Sequence, residues 1–144
     1  MMKVGLWVLI AVFLFSCSVE PEPLRYGRDA CHHCKMTLMD KKFGGELVTE
    51  KGKVYKFDDV NCMMTFLDSD QVAGEAFAFK LIIDYLQPEK FIPAEEAFYL
   101  KSDEIRSPMA SEVAAFATEK SMMEYKSKLN AIYLSWGELR AQFK

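Results

Sequence analysis

Apolar positions along this chain change period several times, and each change marks an element. Residues 46–50 and 53–57 alternate apolar and polar side chains around Lys51-Gly52, which predicts a hairpin. Asp58-Asp59 follow as helix caps, and Val60, Met63, Met64 and Leu67 then fall at i, i+3, i+4 and i+7. That spacing predicts a short amphipathic helix over 59–68. Residues 77–85 (FAFKLIIDY) are apolar, aromatic and β-branched, as a strand requires. Pro88 and Pro93 punctuate a linker. Beyond it, 97–101 reads as a strand. Ser111 reads as the cap of a helix over 112–119 with Val113, Phe116 and Ala117 inward, and 122–128 as a further helical stretch. A strand over 131–136 and a final helix over 137–143 complete the pattern. The predicted class is α+β, with strand, strand, helix and strand in the first half. The second half repeats it loosely as strand, loop, capped helix and strand. Each half buries little by itself, so two small similar subdomains are expected to pack together.

The N-terminus has a different pattern. One Lys precedes an unbroken apolar run over residues 4–15, which ends in Leu14-Phe15-Ser16-Cys17. The run is shorter than the ~20 residues a spanning helix needs, and it has the charged start and apolar middle of a secretory signal. The ending looks like a bacterial lipobox, cleaved before Cys17 and lipidated on it. The expected organisation is therefore a lipoprotein signal peptide over 1–16 and a lipidated, Pro-containing tether over 17–28. The two subdomains are expected over 29–86 and 87–144. Lipid on Cys17 would hold the protein on the periplasmic side of a membrane without spanning it. Ser18, rather than Asp, after the Cys favours the outer membrane of a Gram-negative host.

Composition narrows the chemistry. The 144 residues carry 18 Lys+Arg against 21 Asp+Glu, with no basic stretch, so a nucleic-acid partner is not expected. No Gly-rich phosphate loop and no zinc-protease helix motif is present. Sulfur is abundant instead, with four Cys and nine Met against two His. Lipid on Cys17 leaves Cys31, Cys34 and Cys62, an odd number that cannot all pair within one chain.

The dense stretch is Cys31-His32-His33-Cys34-Lys35-Met36. Its Cys-x-x-Cys has several physical readings. A redox disulfide needs a helix starting at the first Cys, whose N-terminus stabilises the thiolate, and the tether before Cys31 supplies no βα unit. Cys31 and Cys34 could also form a plain structural disulfide. Zinc needs four ligands, which Cys31, Cys34, Cys62 and one His could supply, but no second Cys-x-x-Cys follows. A soft-metal site uses more of the stretch. In an extended segment the Cys34 thiolate and Met36 thioether point the same way, and that donor pair selects Cu(I). One of His32 and His33, Cys31, Cys62 and Met109 are candidates to complete the shell. Met63 and Met64 belong to the helix stripe and read as core.

These residues carry a resemblance. Cys31 to Met36, then Phe57-Asp58-Asp59-Val60-Asn61-Cys62-Met63, the 94–100 stretch and Ser107-Pro108-Met109-Ala110 together resemble the NosL family of nitrous oxide reductase accessory lipoproteins. The resemblance implies two similar ββαβ-like units and a periplasm-facing Cu(I) chaperone, not an enzyme. Nitrous oxide reductase or another copper enzyme would be its client. Cys34 and Met36 are the implied principal ligands. The sequence departs from the family pattern at Lys35, where Gly is usual. The rival reading is a periplasmic thiol-disulfide oxidoreductase using Cys31 and Cys34.

Overall fold

The computed structural model describes residues 18–144, so the signal-peptide and Cys17 expectations lie outside the described residues. The first half contains β1 (Gly45–Thr49), β2 (Val54–Phe57), α1 (Val60–Leu67) and β3 (Phe77–Ile83). The expected hairpin forms with Leu47 opposite Tyr55 and Val48 opposite Val54, and Gly52 turns the chain at φ +84°. β1 is buried along its whole length because β2 and β3 flank it in the sheet. α1 starts at Asp59, whose side chain accepts the Val60 N–H, and it buries Val60, Cys62, Met63, Met64 and Phe66. Gly45 makes this packing possible: a Cβ there would stand 2.8 Å from the Leu81 carbonyl and 3.0 Å from the Met63 sulfur.

The expected linker holds a short strand, β4 (Phe91–Pro93), which closes the sheet in the order β2-β1-β3-β4. Two prolines suggested a loop, but Pro93 lies on the edge strand, where a missing N–H leaves no ladder bond unmade.

The second half contains β5 (Phe98–Lys101), β6 (Val113–Phe116), α2 (Glu119–Lys128), β7 (Ile132–Leu134) and α3 (Trp136–Gln142). The helix expected over 112–119 is not there. Val113, Ala114, Ala115 and Phe116 are all buried and pair with β5 as a strand. A strand buried on both faces needs a continuous apolar run, and so short a run also satisfies helical spacing. The helix starts later, at Thr118, which accepts the Ser121 N–H. Its sheet runs β6-β5-β7.

Both sheets therefore repeat one plan. The first strand is central, its hairpin partner lies on one side, and the strand after the helix lies on the other. The sheets meet where the Tyr85 N–H donates to the Ala115 carbonyl at 2.8 Å. One apolar cluster takes Phe57, Met63 and Ile82 from the first half and Tyr99, Val113 and Leu134 from the second. No helix among the described residues is long and apolar enough to cross a membrane.

Candidate metal centre

Residues 30–37 form a closed turn against the edge strand β2. The Cys31 N–H donates to the Met36 carbonyl at 2.8 Å, and the Lys35 N–H returns to the Cys31 carbonyl at 3.0 Å. Ala30 and Thr37 pair as an antiparallel bridge that shuts the turn. The His32 N–H donates to the Lys56 carbonyl at 2.7 Å and docks the turn on β2. The extended segment expected from Cys34 to Met36 is absent, because Lys35 sits at φ 67°. That is the left-handed region, which glycine enters at little cost and other residues do not. Lys35 anchors its own strained turn by donating from Nζ to the His32 carbonyl.

The turn delivers Cys31 and Cys34 to Asp58, at the end of β2, and to Cys62, on the first turn of α1. The donor atoms of all four lie within 4.8 Å of one another. Cys31 and Cys62 are buried and Cys34 is half-exposed. The Cys34 thiol donates to Asp58 Oδ2 at 3.4 Å. Asp58 Oδ1 is buried with no hydrogen-bond partner, which is costly for a carboxylate unless another group meets it. Three thiols and an orphaned carboxylate oxygen suit a cation at their centre.

A cleft of about 170 Å³ opens beside the thiols, lined by His33, Cys34, Asn61, Cys62, Thr65 and Met109. Met109 comes from the second half. Its N–H donates to Asp59 Oδ2 at 2.9 Å, and its carbonyl accepts from Asn61 Nδ2 at 2.9 Å. Ser111, expected as a helix cap, serves the same junction by donating from Oγ to Asp59 Oδ1 at 2.6 Å.

The thiols differ electrostatically. Hydrogen bonding from the Cys62 thiol outweighs burial and brings Cys31 down to about 6, helped by backbone N–H groups at Cys34, Asp58 and His33. Burial, then the neighbouring Cys31 and Asp58, pushes Cys34 up to about 11. Cys62 is pushed up as the donor to Cys31, and burial adds to this. Cys31 is thus the thiol of the cluster that gives up its proton first.

The structure brings Cys31, Cys34, Cys62, His33 and Met109 to one place. It turns His32 aside, edge-on to Tyr55 and Phe66 with ring centres at 4.7 and 5.2 Å. Met36 is 57% exposed and is not among the residues that line the cleft. Asp58 was missed in the sequence because Asp58 and Asp59 both suit a helix cap. Only one residue can be the cap, and that left the other for a different role. The helix that a Cys-x-x-Cys redox centre places at its first Cys is replaced by the turn.

Fold and site together define a small α+β protein with a thiol-rich centre at the mouth of a cleft. The NosL family model matches residues 26–142, and the chain belongs to the NosL family. Among solved structures, the crystal structure of the copper chaperone NosL from Shewanella denitrificans is similar, with a TM-score of 0.70 and 18% identity. The match covers 84% of this chain and 96% of that one. At that identity the likeness shows the fold. No curated protein matches the chain.

Proposed function

We propose that this protein is a Cu(I) carrier, anchored by lipid on Cys17 to the periplasmic face of a bacterial membrane. It supplies copper to a copper enzyme, with nitrous oxide reductase in maturation as the favoured client. The observation that carries the reading is the meeting of Cys34 and Met109 at the mouth of the thiol cluster. A thiolate beside a thioether selects a soft monovalent ion over harder ones. Cys34 is the first ligand. Met109 adds its sulfur from the cleft wall and Met36 from the exposed turn after Cys34, with Cys31, Cys62 and His33 within the same region. Asp58 holds the Cys34 thiol in place and is the first base its proton meets when copper displaces it. A half-open site with few outward ligands permits release by ligand exchange.

The test is competition for Cu(I) against a chromogenic chelator under reducing conditions, for wild type, Cys34→Ser, Met109→Leu and Met36→Leu. Cys34→Ser is expected to weaken binding by about 100-fold, and each Met change by about 10-fold. Competition unchanged by all three substitutions would exclude the copper site.

A further inference from the structure

The cluster holds more thiols than a carrier site with two thioethers needs, and two of them are out of solvent. Cys31 is 0% exposed and Cys62 is 3% exposed. Their sulfurs lie within 4.8 Å of each other on independently pinned elements. The turn bearing Cys31 is fixed to β2, and Cys62 rides on α1. Cys34, by contrast, opens to the cleft and points its thiol at Asp58.

We propose that Cys31 and Cys62 are an internal electron source that reduces Cu(II) entering the cleft to Cu(I), closing a Cys31–Cys62 disulfide. Cys34 stays free to hold the product. The proposal rests on reading the cleft as a copper site. The balance is two Cu(II), the Cys31 thiolate and the Cys62 thiol giving two Cu(I), one S–S bond and one proton. Each Cu(II) takes one electron. Each sulfur loses one electron, Cys62 also loses its proton, and the two sulfurs join. One Cu(I) remains on Cys34 and the thioethers, and the other leaves the cleft.

Three features favour this step. Sulfur donors bind Cu(I) better than Cu(II), so an ion held by Cys34 and Met109 is a stronger oxidant than the same ion in water. Burial screens the pair from oxidants too large for the cleft, whereas Cys62 itself lines the cleft and meets any ion inside it. The sulfurs are within 4.8 Å, so a shift of less than about 3 Å brings them to S–S bonding distance. One reduced protein performs the step once. A dithiol reductant resets it by thiol–disulfide exchange.

The test adds Cu(II) to the fully reduced protein without oxygen and with a Cu(I)-specific chromogenic chelator present. The expected result is two Cu(I) formed per protein, a mass lower by about 2 Da from the two lost hydrogens, and a peptide map joining Cys31 to Cys62. Cys62→Ser is expected to remove that cross-link and cut the Cu(I) yield at least several-fold. The wild-type map decides the matter even if this variant folds poorly. Cu(II) left unreduced, or a map joining Cys31 to Cys34, overturns the inference. Protein that leaves Cu(II) unreduced but retains Cu(I) supplied directly fails the inference alone. Protein that reduces Cu(II) but retains no Cu(I) fails the carrier reading alone.

Discussion

Asp59 holds Met109 beside the thiols: its Oδ2 accepts the Met109 N–H at 2.9 Å across the junction of the two halves. The same carboxylate caps α1 through the Val60 N–H at 2.7 Å and takes the Ser111 hydroxyl at 2.6 Å. One buried side chain therefore starts the helix that bears Cys62 and fixes the loop that bears Met109.

Replacing Asp59 by Ala removes a helix cap and takes the acceptor from the Val60, Met109 and Ser111 N–H groups, while the Ser111 hydroxyl keeps Ser107 Oγ and the Val113 N–H. A loss of about 3 kcal/mol in folding stability is expected, readable by urea unfolding. Cu(I) affinity is expected to fall as well, because Met109 loses its tether. Asp59→Asn keeps part of the cap and should fall between the two. A variant with wild-type stability would mean that Asp59 does not organise this junction.

Lys35→Gly relieves a left-handed backbone. The gain expected in stability is about 1 kcal/mol, after the Lys35 Nζ bond to the His32 carbonyl is lost. Since the Lys35 side chain offers copper no ligand, Cu(I) affinity is expected to stay within about two-fold of wild type. Destabilisation on this change would mean that the side-chain bond, not the backbone, dominates at Lys35.

Proton release sets the pH dependence of metal binding. Above pH 7, Cys31 is already a thiolate, since it is held near about 6, while Cys34 keeps its proton because it is pushed up to about 11. Copper must displace that proton, so affinity should rise about ten-fold per pH unit between pH 7 and 9. Below pH 6 Cys31 also takes up a proton, and the slope should steepen. A flat profile over this range, in chelator competition, would mean that Cys34 is not displaced by the metal.

Glu46 provides a test of the scaffold away from the metal. It is fully buried on β1, its Oε1 accepts the Glu22 N–H at 2.9 Å, and its Oε2 has no partner. Burial, against the backbone bond from Glu22, raises its carboxyl to about 7. The folded state thus binds this proton more tightly than the unfolded chain does. Its contribution is fully present below pH 4.5 and lost as pH rises through 7. Glu46→Gln stays neutral, so its melting temperature should match wild type near pH 4 and exceed it at pH 8, by on the order of 1–2 kcal/mol in stability. Equal differences at both pH values would contradict a raised carboxyl.

Much of this was legible in the chain. Alternation around Gly52, the stripe from Val60 to Leu67 and the family motifs fixed the first hairpin, the first helix and the three thiols as candidates. Residues 113–116 were not legible, since Val113, Phe116 and Ala117 satisfy helical spacing while the run is also apolar enough for a strand covered on both sides. β4 hid behind Pro93 because proline marks loops more often than edges. Asp58 hid behind Asp59, since both suit a cap. The contact between Asp59 and Met109, at a separation of 50 residues, follows from packing and leaves no local trace.

The segment before the domain is not loose for long. Glu22 is held by Glu46, the Pro23 carbonyl accepts from Lys56, and Arg25 is bound to Asp29. Only about five residues, reaching roughly 18 Å when fully extended, separate position 17 from that first fixed point. If Cys17 carries lipid as proposed, the domain rides close above the membrane rather than ranging through the periplasm. A client must then come down to this thin layer to collect its ion, and lengthening the leash would widen the zone in which the two can meet.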